Sequence, residues 1–192
     1  MTSRAKTAVL GAALLAALGL LAAGGQASAS VLIMGEGLAP ACSKAAFAGQ
    51  ADRDSIELCR RALQEEGLSR RDRAGTLVNR GVMLTRAKAY GDARRDLDEA
   101  IRLQPDLGEA WVNRGILRMA DRRYDLALGE IDKGLALGVD EPAKAYYNRA
   151  LAREGLGDAK GAWTDYRMAQ TLAPEWEAPA RMLTRFQVTT PQ

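Results

Sequence analysis

The chain has 192 residues, a formal net charge of +3, 5% aromatic residues and no histidine. That length suits one domain with a full core, and no shift in composition after about residue 70 marks a second. Lacking histidine removes the commonest general base and the commonest metal ligand, and interleaved charges give no basic face, which disfavours an enzyme, a metal site and a nucleic-acid binder.

Residues 1–29 begin with Arg4 and Lys6, run apolar from Ala8 to Ala23 and close on Ala27-Ser28-Ala29. Charge, apolar stretch and an A-x-A site in that order predict a secretory signal peptide cut after Ala29. The other reading is an uncleaved anchor helix, since Thr7 to Gly25 is nearly long enough to span a bilayer; a membrane enters as a partner only in that case. Removal of Arg4 and Lys6 leaves a charge of about +1. An exported protein is periplasmic or secreted, and two cysteines in an oxidising compartment are usually one disulfide, so Cys42 and Cys59 are expected to be bonded. Neither a C-x-x-C spacing nor an activating cationic site favours redox chemistry.

Beyond them the sequence repeats itself. Asn79-Arg80-Gly81 returns as Asn113-Arg114-Gly115 and, with one change, as Asn148-Arg149-Ala150, at offsets of 34 and 35 residues. The units are rich in Ala, Leu, Arg, Glu and Asp, which predicts an all-α fold. The first unit carries Leu77, Gly81, Leu84, Tyr90, Ala93, Leu97, Ala100 and Pro105. The second carries Trp111, Gly115, Tyr124, Ala127, Ile131 and Leu135, and the third Tyr146, Ala150, Gly157, Ala162, Tyr166, Ala169 and Pro174.

In these positions the chain resembles the tetratricopeptide repeat family over residues 36–176. The resemblance implies a right-handed α-α superhelix of about four helical hairpins plus a C-terminal capping helix. Its divisions are a hairpin over 30–69 stapled by Cys42 and Cys59, repeats over 74–107, 108–142 and 143–176, and a cap and tail over 177–192. Aligned to the repeat, Cys42 and Cys59 fall at positions 7 and 24, almost symmetric about the hairpin turn, and a bridge closing so short a loop contributes about 3 kcal/mol. Gly81, Gly115 and Ala150 are expected where paired helices come closest. Residues 68–73 read as a polar connection, Pro142 as the end of the second repeat and the stretch around Gly134 and Gly138 as its least stable part.

Two ladders follow from the period. Arg80, Arg114 and Arg149 share one repeat position and Asp96, Glu130 and Asp165 another, nearly facing across each hairpin, so an ion pair is expected within every repeat. The resemblance places Asn79, Asn113 and Asn148 in the concave groove with Val78, Val82, Val112, Ile116, Lys144, Tyr147 and Leu151. An amide offers a donor and an acceptor side by side, which suits the backbone of an extended peptide. The family's carboxylate clamp is matched in part by Asn79, Asn113 and Lys144, but Gly75 stands where its first lysine would be and Asn148 where an arginine would be.

These expectations favour a non-catalytic protein-binding module of the bacterial cell envelope that holds a protein or peptide segment in its groove, with no cofactor and no metal. A second reading is self-assembly, as a homodimer joined through Trp176 and Phe186. A hydrolase using paired carboxylates is a distant third.

Overall fold

The computed structural model describes residues 27–186; the segment read as a signal peptide lies outside them up to residue 26, as does the tail from 187. Among the described residues there are nine helices and no strand: α1 (Leu38–Phe47), α2 (Arg53–Glu65), α3 (Arg70–Arg86), α4 (Tyr90–Leu103), α5 (Gly108–Ala120), α6 (Tyr124–Leu137), α7 (Pro142–Gly155), α8 (Ala159–Leu172) and α9 (Glu177–Leu183). Each odd helix pairs with the even helix that follows it, and α9 closes the array on α8. The odd helices α1, α3, α5 and α7 also touch one another in succession, whereas the even helices make no comparable contact among themselves. Closer inner helices curve the stack, so the odd helices line its concave face.

Local chemistry sets the helix ends. Asp52 caps α2 by accepting from the Ser55 backbone N–H at 2.9 Å, and Asp158 caps α8 by accepting from that of Gly161 at 2.9 Å. Ser69 caps α3, its hydroxyl accepting from the Asp72 N–H at 3.1 Å. The stretch 70–73 is therefore the first turn of a 17-residue helix, not a connection. Pro142 likewise opens α7 instead of ending α6: at the first helical position its missing N–H has no partner to lose. The hairpin turns of the three repeats share one conformation, with Lys88 (φ 61°), Arg122 (φ 58°) and Gly157 (φ 80°) in the left-handed region.

The interior is a string of apolar clusters. Leu77, Val78, Val82, Leu97 and Leu117 form one between the first two repeats, and Val112, Ile116, Ile131 and Ala152 the next. Gly115 sits where α5 and α6 come closest: a Cβ there would stand 2.8 Å from Ile131 Cγ1 and 3.0 Å from the Ala127 carbonyl oxygen. Gly134 holds a second close approach, since its Cβ would meet Val112 Cγ2 at 2.6 Å and the Gly108 carbonyl oxygen at 2.7 Å. This glycine, expected only to weaken α6, is what lets both ends of the hairpin close. Cys42 and Cys59 are bonded across α1 and α2, buried with Ala45, Ala46 and Met83.

Candidate functional site: an asparagine ladder in the concave face

Asn79 lies on α3, Asn113 on α5 and Asn148 on α7, at equivalent positions of three successive inner helices, and all three are buried. Each amide is bonded to the backbone of one segment, residues 27–34, which enters no helix or strand. The Asn148 amide nitrogen donates to the Ala27 carbonyl at 2.7 Å and that of Asn113 to the Ala29 carbonyl at 2.6 Å. Asn79 makes a two-point contact: its nitrogen donates to the Val31 carbonyl at 2.7 Å and its oxygen accepts from the Val31 N–H at 2.8 Å.

Bonds to residues 27, 29 and 31 mean that every second residue meets one repeat. Extended backbone turns alternate carbonyls to the same edge, which is why that spacing works. It is also required by length. The chain advances at most about 3.6 Å per residue, so four residues cover at most about 14 Å and meet three successive inner helices only when nearly straight.

This strap shows why the positions around it are what they are. A Cβ on Gly75 would stand 2.8 Å from Val31 Cγ1, so the glycine found where the clamp pattern has lysine is the space that Val31 fills. Ser43 on α1 fixes the next step: its hydroxyl donates to the Val31 carbonyl at 2.8 Å and accepts from the Ile33 N–H at 3.1 Å. Ser28, Ala29 and Ser30 are each at most 3% exposed, which leaves no room there for larger side chains.

The three rungs differ in completeness. The amide nitrogens of Asn113 and Asn148 also donate to carbonyls one turn earlier, those of Glu109 (2.8 Å) and Lys144 (2.9 Å). These bonds fix the amide planes. Yet Oδ1 of both Asn113 and Asn148 is buried without a partner among the described residues. A buried acceptor left without a donor costs about 1–3 kcal/mol.

Apolar residues expected on an open groove floor are instead enclosed. Val78, Val82, Val112 and Ile116 are fully buried in the inter-repeat clusters, and Leu151 is half-buried beside them. Tyr147 belongs to the C-terminal cluster, with its ring 5.4 Å from that of Tyr166 and 4.9 Å from Trp176. Phe186 stands 6.0 Å from Tyr166, and both aromatics proposed for self-association lie half-buried against this cluster. Lys144 is paired with Glu141 at 2.5 Å. Glu109, one turn before Asn113, accepts from the Asp140 N–H at 2.8 Å; burial pushes its carboxyl up from the ordinary 4.5, against the opposing pull of that bond.

On the opposite side of the inner helices the arginines face acids. Arg80 meets Asp96 at 2.7 Å, Arg114 meets Glu130 at 3.1 Å and Arg149 meets Asp165 at 2.7 Å. Arg114 and Arg149 also reach back to Asp98 and Asp132 on the preceding even helix, at 2.9 and 2.8 Å. Arg118 and Arg153 add a second guanidinium to Glu130 and Asp165, at 3.3 and 2.9 Å. Bonding to Asp165 drives the Arg149 pKa further up, against the opposing effect of burial.

Stacked hairpins with a concave inner layer can be compared with solved structures. The chain superposes on the TPR domain of Arabidopsis OM64 with a TM-score of 0.56 and 23% identity, over 61% of this chain and 96% of that domain. The fold is a tetratricopeptide-repeat solenoid. MamA from Desulfovibrio magneticus RS-1 gives 0.55 at 21% identity, over 79% of this chain and 84% of that one. The first TPR of Spaghetti (RPAP3), bound to the HSP90 peptide SRMEEVD, gives 0.54 at 21% identity, over 59% and 89%. No protein-family model and no curated protein matches the chain.

Proposed function

We propose that this solenoid is a non-catalytic protein-binding module that holds an extended segment of a partner along its asparagine ladder. Supporting it most directly is the pair of bonds between Asn79 and Val31, in which one side chain takes both backbone groups of an extended residue and reads nothing of its side chain. The peptide-bound RPAP3 repeat is a precedent for such use of the fold. The A-x-A pattern and the Cys42–Cys59 bridge support the reading that the module works in the bacterial cell envelope after export. Among the described residues no helix is long and apolar enough to cross a membrane.

Photocross-linking in the cell tests this reading. A photoreactive residue at position 144, one turn from Asn148 on the inner layer, should capture a discrete partner, and one at Thr164 on the outer helix α8 should not. Capture should fall at least fivefold in Asn148→Ala, the effect of losing about one buried hydrogen bond. Equal capture from both faces, insensitive to Asn148, overturns the proposal. Ile116→Glu is unsuited as a probe, because Ile116 is fully buried and a carboxylate there would unfold the repeat.

A further inference from the structure

The ladder already holds a peptide, and the peptide belongs to the same chain. We infer that residues 27–29 are an internal occupant of two exchangeable rungs, Asn113 and Asn148, and that a chain beginning at Ser30 opens these rungs to an extended partner segment with alanine or serine side chains. This rests on the binding function proposed above and on cleavage after Ala29.

Three observations carry it. The scissile position expected from the sequence falls inside the strap, between the residue bonded by Asn113 and the one bonded by Asn79. Cleavage there would remove Ala27 and Ala29 while leaving Val31 in place, held by Asn79, by Ser43 and by the space over Gly75. Next, the two rungs that would be vacated are the incomplete ones. Their oxygens are buried, unpartnered and locked in orientation by the Glu109 and Lys144 carbonyls, so a segment shifted enough to offer its N–H groups would gain two hydrogen bonds that residues 27–29 do not make. Finally, the burial of Ser28 and Ala29 defines the occupant as small at those two steps. It would run in the direction of the strap, from α7 toward α3, and end against Ser30.

The probe is a fluorescein-labelled peptide of sequence 21–29, titrated by fluorescence anisotropy into the full chain and into a chain starting at Ser30. The nine helices of the described residues and the disulfide all lie beyond Ser30. A full-length Ala29→Trp variant, whose indole cannot occupy the buried strap, serves as an independent way to open the rungs. The Ser30 chain and the Ala29→Trp chain should bind saturably, the unmodified full chain at least tenfold more weakly. Asn113→Ala and Asn148→Ala should each weaken binding to the opened forms by about five- to tenfold. Equal binding by full and opened chains, no binding by either opened chain, or indifference to both asparagines overturns the inference. If cross-linking from position 144 persists in those cases, the partner-binding function stands and only the strap's role falls.

Discussion

The rung at Asn79 and the rungs at Asn113 and Asn148 are built from the same residue at the same repeat position, yet they end in different states. At Asn79 every polar group is matched, the neighbouring Gly75 makes room for Val31, and Ser43 on the disulfide-stapled α1–α2 hairpin adds two more bonds. At the other two only the nitrogens are used. The difference lies in what surrounds the ladder. Ser43, on the hairpin before the first repeat, bonds the strap from the far side at Val31 and Ile33, so the same residue at the same repeat position is fully matched at one rung and half matched at two.

Removing the staple should break this contrast most strongly. Cys42→Ser with Cys59→Ser is expected to cost about 3 kcal/mol and to lower Tm by roughly 6–12 °C in thermal melts. Loss of amide protection at Val31 and Ile33 in hydrogen exchange should accompany it. Next in size, Asn79→Ala should cost about 2 kcal/mol in denaturant unfolding, since it strands the Val31 N–H and leaves the Val31 carbonyl with Ser43 as its one donor, whereas Asn148→Ala should cost about 1 kcal/mol or less because it also removes an oxygen unpartnered among the described residues. Equal costs would mean that the rungs are equivalent.

A smaller effect belongs to the looser half. The Glu109 carboxyl titrates higher in the folded chain than the ordinary 4.5, so the unfolded chain holds fewer protons in that window and stability rises as pH falls through it. Glu109→Gln should therefore stabilise at pH 7 by about 1 kcal/mol or less and flatten the gain on acidification, as read from Tm against pH. The smallest change tests the repeats themselves. Arg122 occupies the left-handed turn position that the third repeat fills with Gly157, and Arg122→Gly should add about 0.5–1 kcal/mol with no change at the ladder.

The repeat period made the helical hairpins, the arginine–acid facing positions and the inward direction of the asparagines legible, because each recurs on a helix with fixed geometry. The strap was not legible. Its partners lie 48, 84 and 121 positions away in sequence, with no period to connect them, and its own residues carry the pattern of a cleavage site. One signal was present: a glycine at 75 on a groove position means that something fills the space. Two helix boundaries were also misjudged for local reasons. Ser69 three residues before Asp72 is an N-cap pattern inside what looks like a charged linker, and Pro142 opens a helix as readily as it ends one.

Burial of Ser28, Ala29 and Ser30 imposes an order of events. A peptidase needs its substrate extended and accessible, and the bond between Ala29 and Ser30 is neither reachable nor free once the strap has docked. If the chain is cut after Ala29 as proposed, cutting and docking compete for the same few residues, and whichever happens first in a newly made chain decides whether that molecule keeps its own strap or is left with two empty rungs.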